Sequence, residues 1–334
     1  MSTTAAHGVP PVSQLRLNPL TGRWVVVAID RADRPADLVS RLEPFVDTAQ
    51  PCPFCPGNEE ATPPALETYD RGGDWTVRVV PNRYPAFDGH DILQVTHLGP
   101  VFTEAAASGI HEVLVFTPDH DASWADLDDK QVAVTMAAIR DRMEAHSRLP
   151  GIRYTQAIVN HGHHAGASLE HPHGQLLGIP FVPGEIADEE AGFRRFGGSC
   201  VLCTTLEAEL DAAHRVVLED ERVVVLCPYW AGSPYEMLVV PRDHQAHITA
   251  AAPRDVTAVG RAVRSALAKL RGCLGPTSYN VVVHTAPHRS DAPYHWHMHI
   301  WPRVTSVAGF EQGTGVMINI LAPELATKHL AIVG

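Results

Sequence analysis

The sequence predicts an α+β protein built from two related halves, their mostly antiparallel strands joined in one continuous sheet with helices packed on it. Three observations carry that prediction. A strand, a proline turn ending in histidine, an amphipathic helix, a second strand and a His-x-His segment follow one another twice along the chain. The spacing repeats as well: His120 and His171 are 51 residues apart, and so are His244 and His295. With order and distance both matching, duplication of a strand-helix-strand unit is the simplest explanation. Finally, 334 residues suffice for two ordinary domains with ample cores. The halves are placed at residues 14–190 and 191–334.

Residues 1–13 read as a loose tail. From Asn18 the run NPLTGRWVVVAIDRADRP gives a turn, a β-rich strand at 24–29, and a polar segment with Arg31 and Arg34. Residues 38–74 are rich in proline and glycine and hold Cys52-Pro-Phe-Cys55. A short strand at 77–80 leads into PNRYPAF, and HEVLVF at 111–116 is apolar enough for a central strand ending at Pro118-Asp119-His120. Beyond Trp124, the residues Val132, Met136, Ile139 and Met143 fall at helical spacing up to His146, and Pro150-Gly151 closes the helix. A strand at 154–159 delivers the chain to residues 160–175. In the second half YEMLVV (235–240) ends at Pro241-Arg242-Asp243-His244. A helix spans 254–270 before Gly275-Pro276, and a strand at 279–283 leads to His295-Trp-His297-Met-His299.

An apolar fraction of 45% beside 19% charged residues is that of a soluble globular protein. The formal charge of −12 excludes a general nucleic-acid or anionic-membrane binder, which needs a basic face. An anionic substrate therefore has to be met by a local cluster of donors. The start MSTTAAHGVPPV lacks the basic and apolar regions of a signal peptide, and no apolar stretch is long enough to span a membrane, so a cytoplasmic location is expected. Four of the six cysteines form Cys52-x-x-Cys55 and Cys200-x-x-Cys203, which in a reducing compartment points to metal rather than disulfides. Cys227 and Cys273 read as small core residues.

A structural zinc site takes four sulfur or nitrogen ligands, and a C-x-x-C knuckle supplies two. Repeat logic nominates Cys52, Cys55, His120 and His171 in the first half, and Cys200, Cys203, His244 and His295 in the second. A redox motif would want a thioredoxin-like context, whereas Cys52 and Cys55 lie in a proline-rich loop. With four protein ligands and no open position, both sites are expected to be structural. Metal at His171 would orient the strand that carries His173 and leave His173 free to react.

The stretch NHGHHAGASLEHPHGQ, residues 160–175, is where the chemistry is expected. His171 and His173 flank Pro172 and share a face if the backbone is extended. Upstream, Gly162, Gly166, Ala167 and Ser168 allow backbone N–H groups to approach an anion and form a phosphate nest. A neutral imidazole can attack an α-phosphorus in line and split one transfer into two steps through a phosphoramidate. Ser168 and Gln175 are the side chains placed to stabilise the charge that develops. Gln175 can hold an oxygen but cannot titrate, which suits transfer better than hydrolysis. His297 is the competing nucleophile, but HTAPHRSDAPY before it lacks the Gly-x-Ser nest and its neighbour His295 is assigned to zinc.

Taken together, NPLTGRWVVV, CPFC, FTPDH, N-x-G-x-x-x-G-x-S before HPHGQ, PYWAGSPYEMLVVP and HWHMHIWP resemble the galactose-1-phosphate uridylyltransferase family of the histidine triad superfamily, over nearly the full length. The resemblance implies two histidine triad-like halves, a homodimer, zinc, and ping-pong transfer of UMP from UDP-glucose or UDP-galactose to a sugar 1-phosphate through a uridylyl-histidine. Carried over by residue, the nucleophile falls on His173 and the phosphate-contacting glutamine on Gln175. Asn160, Gly166, Ala167 and Ser168 fall in the phosphate loop, Arg31 near the diphosphate, Asn82 on the nucleotide, and Phe310-Glu311 on the hexose. In well-known members the second metal site corresponds to Glu189, His284, His297 and His299. The Cys200 set resembles instead the branch that includes ADP-glucose phosphorylase, and the 51-residue spacing favours that assignment. The tail FEQGTGVMIN resembles the same branch. This leaves a nucleotide-sugar phosphorylase as the alternative activity, and a non-catalytic zinc-containing nucleotide binder as a third.

Overall fold

The computed structural model describes residues 12–28, 51–89 and 91–333. Strands β1 (Gln14–Leu17) and β2 (Trp24–Val27) form an antiparallel hairpin. Next come β3 (Glu67–Arg71), β4 (Asp74–Pro81), a small hairpin of β5 (Val95–His97) and β6 (Thr103–Ala105), and β7 (Ile110–Val115). Helix α1 (Asp129–Ser147) leads to β8 (Tyr154–His161) and β9 (His173–Ile179). Helices α2 (Gly184–Arg195) and α3 (Val201–Ala212) precede β10 (Val216–Glu219), β11 (Val223–Leu226) and β12 (Met237–Pro241). The chain ends with α4 (Pro253–Leu274), β13 (Tyr279–His284), β14 (His297–Pro302), α5 (Gly309–Thr314), β15 (Met317–Asn319) and α6 (Pro323–Ile332).

Ten of these strands make one sheet in the order β10-β11-β12-β14-β13-β8-β9-β7-β4-β3. Outward from the β13–β8 seam the halves run β8-β9-β7-β4-β3 and β13-β14-β12-β11-β10, so the duplication read from the sequence appears as five matched strands per half. The seam is antiparallel, with Asn280 opposite Asn160. The second strand also closes on the C-terminal part of the chain, since β15 pairs in parallel with β2.

Alternation along the strands decides what each face carries. Val77 and Val79, Leu114, Ala157 and Val159, Leu176, Met237 and Val239, Val281 and Val283, and Met298 and Ile300 all point into one core with Met136 and Ile139 of α1 and Val259 and Val263 of α4. Their odd-even partners face the other way. In the second half that face is filled by Leu202 and Leu206 of α3, Ile186 and Phe193 of α2, and the turn at Leu20. In the first half, among the described residues, Cys52 and Phe54 pack on that face over Val80, Val113 and Val115. His173 and Gln175 stand on this same face.

Helix α1 starts where Asp128 accepts from Gln131 N–H at 2.7 Å, a side-chain N-cap. Helix α4 opens on Pro253 and runs to Leu274, four residues past the expected 270, with Gly275 at a φ of 79° after it. The strand expected at 24–29 is described as Trp24–Val27, and Ile29 lies outside the described residues. Within the stretch read as proline-rich loop, Glu67–Arg71 is an edge strand on β4.

Candidate active site and metal-binding groups

Pro172 and the start of β9 set His171 and His173 two residues apart. His173 is 6% exposed, and its Nδ1 lies 2.8 Å from the carbonyl oxygen of His171. A carbonyl only accepts, so the proton sits on Nδ1 and the Nε2 lone pair is left for reaction. Burial holds the His173 pKa below that of an ordinary histidine, while the bond to His171 works the other way. The ring is thus neutral near pH 7.

After β8 the chain turns through residues 160–168. Gly162 has a φ of 80°, and a Cβ there would come within 2.3 Å of Ser278 Oγ; Gly166 has a φ of 83° with open space around it. Glycine is needed at both, at the first for room and at both for the left-handed backbone. The turn engages part of the expected nest: Gly166 N–H donates to His163 O at 2.9 Å and Ala167 N–H to Gly162 O at 3.2 Å. The donors left at its end are Ser168 N–H and the exposed Ser168 hydroxyl. Asn160 is braced from the other half, its Oδ1 accepting from Asn280 Nδ2 at 2.7 Å, and the same amide donates to Ala165 O at 2.9 Å. The sequence reading missed Asn280; its only signal is a place opposite Asn160 at the seam.

Gln175 shares the face of His173. Its Oε1 lies 2.8 Å from Nε2 of His111 on β7, and Asn82 Nδ2 lies 3.1 Å from the same atom. The structure therefore links Asn82 to Gln175 through His111, and the β8–β9 register, with Val159 opposite Gly174, sets Asn160 at the His173 end of β9.

Three groups of side chains could each hold a metal ion. In the first, Cys55 Sγ lies 3.3 Å from His120 Nδ1 and 3.6 Å from His171 Nδ1, and Cys52 Sγ is 3.8 Å from His171 Nδ1. In the second, Cys203 Sγ lies 3.4 Å from His244 Nδ1 and 3.5 Å from His295 Nδ1, and Cys200 Sγ is 3.6 Å from His295 Nδ1. Ligand bonds of about 2.0 and 2.3 Å in a tetrahedron place nitrogen and sulfur about 3.5 Å apart, so both sets fit zinc. The outer contacts fit as well. His171 Nε2 lies 2.8 Å from Thr117 O and His295 Nε2 2.9 Å from Pro241 O, which leaves Nδ1 of each for the metal. Burial, then the neighbouring Cys200, pushes the Cys203 thiol up to about 12, and a bound dication would reverse that.

The third group is Glu189, His284, His297 and His299, all buried. His284 Nδ1 lies 2.9 Å from Glu189 Oε1, and the Nε2 atoms of His297 and His299 face each other at 3.1 Å. Tyr294 O–H donates to the other Glu189 oxygen. From the sequence this set and the Cys200 set are rival versions of one second site. In the fold they are two separate groups, because Cys200 and Cys203 stand at the start of α3 and Glu189 on α2.

Two family models cover most of the chain: galactose-1-phosphate uridyl transferase, N-terminal domain, over residues 6–183, and its C-terminal domain over residues 186–320. The chain belongs to the galactose-1-phosphate uridyl transferase family. It is an enzyme of nucleotidyl transfer. Among relatives, an ADP-glucose phosphorylase of Arabidopsis thaliana is 32% identical, covering 94% of this chain and 91% of its own. A galactose-1-phosphate uridylyltransferase of Thermotoga maritima is 28% identical over 95% and 97%. The crystal structure of an Arabidopsis thaliana ADP-glucose phosphorylase with bound ADP-glucose superposes with a TM-score of 0.82 at 29% identity, over 96% of this chain and 99% of that one.

His297 repeats the posture of His173, its Nδ1 2.9 Å from His295 O, but it is fully buried and its Nε2 is turned to His299 and Glu189. Glu311 lines a cavity of about 440 Å³ with Trp24, Trp230, His299 and Trp301, which His173 does not line. Phe310 beside it on α5 is half exposed. Arg31 lies outside the described residues.

Proposed function

We propose that the protein moves a nucleotidyl group from a nucleotide sugar to a second phosphate through a covalent adduct on His173, with UDP-glucose as donor and a hexose 1-phosphate such as galactose 1-phosphate as acceptor. The observation that carries the reading is the bond between His173 Nδ1 and His171 O. Nε2 attacks the α-phosphorus, the bond to the bridging oxygen breaks, and hexose 1-phosphate leaves with the electron pair. A phosphate oxygen of the acceptor then attacks the same phosphorus and Nε2 leaves. The proton stays on Nδ1 throughout, hydrogen-bonded to the His171 carbonyl, which offsets the positive charge of the adduct. Ser168, through N–H and hydroxyl, and Gln175 meet the charge on the nonbridging oxygens, and Asn82, Asn160 and Arg31 contact the nucleotide and diphosphate. Residues 14–190 carry this chemistry, and residues 191–334 form the second half.

Zinc is assigned to the two Cys-Cys-His-His groups, where it supplies rigidity rather than reactivity, and a cytoplasmic homodimer is the assembly we infer. A second reading has orthophosphate as acceptor and ADP-glucose as substrate. The Cys200, Cys203, His244 and His295 group favours it, as does the likeness to the Arabidopsis phosphorylase.

Rapid quench with donors labelled at the α-phosphorus tests the reading. Acid-labile, base-stable label on His173 is expected, and a protein that binds nucleotide without ever acquiring label would be a binder only. Running UDP-glucose with galactose 1-phosphate beside ADP-glucose with phosphate then separates the two acceptors.

A further inference from the structure

Gln175 can meet a phosphoryl oxygen with a hydrogen only if its amide is held one way round, because the amide's two ends are nearly identical in shape. What holds it is His111. In the β7–β9 register Val113 lies opposite Gln175, so His111, two residues earlier on the same face, is its diagonal neighbour. The backbone N–H of Ala86 donates to His111 Nδ1 at 3.0 Å. A neutral imidazole that accepts at Nδ1 carries its hydrogen on Nε2. Nε2–H therefore donates to Gln175 Oε1 at 2.8 Å, and the Gln175 amino group, with no hydrogen bond of its own among the described residues, is left as a donor.

The same ring settles Asn82. Its Oδ1 accepts from Tyr84 N–H at 2.9 Å, and its Nδ2 lies 3.1 Å from a His111 nitrogen that already bears hydrogen and cannot accept. That amino group also stays available to a ligand. The Asn82 backbone is held independently, by donation from its N–H to His111 O at 2.8 Å, so the loop keeps its place whatever side chain stands at 111.

We propose that His111 is a positioning residue for nucleotidyl transfer, fixing the Gln175 amide with its nitrogen toward the phosphoryl group on His173. Turned the other way, the amide would set its oxygen against the phosphoryl oxygens. The inference rests on His173 as the nucleophile.

The test is a rapid-quench double-mutant cycle with UDP-glucose or ADP-glucose labelled at the α-phosphorus, whichever labels the wild type. A wild type that takes up neither label removes the His173 reading itself, before any variant is compared. With a labelled wild type, His111→Ala is expected to slow adduct formation at saturating donor by about tenfold, with donor affinity changed less than about twofold. His111→Asn keeps an acceptor for Ala86 N–H but is too short to reach Gln175, and should be as slow. His111→Gln puts an amide N–H near the Nε2 position and should recover to within about threefold of wild type. In a Gln175→Ala background His111→Ala should cost nothing further. Equal losses in both backgrounds, or a His111→Asn protein as fast as wild type, would overturn the proposal. Unchanged metal content and melting temperature report the fold, and if the alanine variant fails to fold the Asn and Gln pair decides alone.

Discussion

His173 Nδ1 lies 2.8 Å from the carbonyl oxygen of His171, while Nδ1 of His171 faces Cys52 and Cys55. The proposed nucleophile is thus aimed by the backbone of a residue in a candidate metal-binding group, so the two roles can be separated by substitution.

His173→Asn removes the proposed nucleophile and leaves the His171 ring in place. Adduct formation and overall exchange should fall by about three orders of magnitude or more. Zinc measured by atomic absorption and the far-ultraviolet circular dichroism spectrum should match wild type. Exchange surviving at wild-type rate would move the nucleophile elsewhere.

Cys52→Ala acts on the scaffold. With one thiolate gone, the group holding residues 52–55 to His120 and His171 loses metal, and a structural zinc site contributes folding free energy directly. The cover over Val80, Val113 and Val115 loosens with it. We expect one fewer equivalent of bound zinc, a lower melting temperature, and loss of activity through a displaced His173. Wild-type zinc content in this variant would remove Cys52 from the ligand set.

Two of the groups that could hold a metal were legible in the chain because cysteines and histidines recur with the duplicated unit: His120 and His171 prefigure His244 and His295. What could not be read depends on register and on crossings between halves. Glu189, reached in the sequence only through the family resemblance, joins His284, His297 and His299 because α2 leaves the first half and lies against strands of the second, which no spacing encodes. His111 reads from sequence only as the start of a central strand; its bond to Gln175 exists because β7 pairs with β9 in one particular register. Asn280 reaches Asn160 for a similar reason, at the β13–β8 seam. Glu311, carried over from the family, lines a cavity that both halves share, with Trp24 and Glu189 from the first.

Glu324 anchors the end of the chain to its beginning. It accepts from Arg16 Nη1 at 3.0 Å and Arg215 Nη1 at 2.8 Å, and Arg215 Nε donates to Glu209 at 2.9 Å, all four side chains being buried. Glu324→Ala leaves Arg16 without a counter-charge, which for a buried pair costs about 3–5 kcal/mol. Urea unfolding should show that loss, while Arg254, whose side chain is 73% exposed beside Asp255, should be replaceable by alanine within about 0.5 kcal/mol. A Glu324→Ala protein as stable as wild type would show that the cluster contributes nothing net.

Acid should weaken the fold through His288. Its Nε2 lies 2.8 Å from Thr155 Oγ1, which lies 3.2 Å from His146 Nδ1, and the ring is buried. Burial first, then the neighbouring His146, Arg289 and His247, pushes its pKa down to about 4. In the unfolded chain histidine titrates near 6.5, so between about pH 6.5 and 4 the unfolded state holds a proton that the folded state does not. The contribution of the neutral ring to stability is therefore complete above about pH 6.5, shrinks as pH falls, and is gone at about pH 4. The difference in pKa corresponds to roughly 3 kcal/mol. His288→Asn keeps a hydrogen-bonding group near Thr155 without a titrating ring, so its unfolding free energy should fall by roughly 3 kcal/mol less than wild type between pH 7.5 and 4. Urea unfolding at half-unit steps of pH gives both curves, and if they run parallel His288 is not the group that titrates.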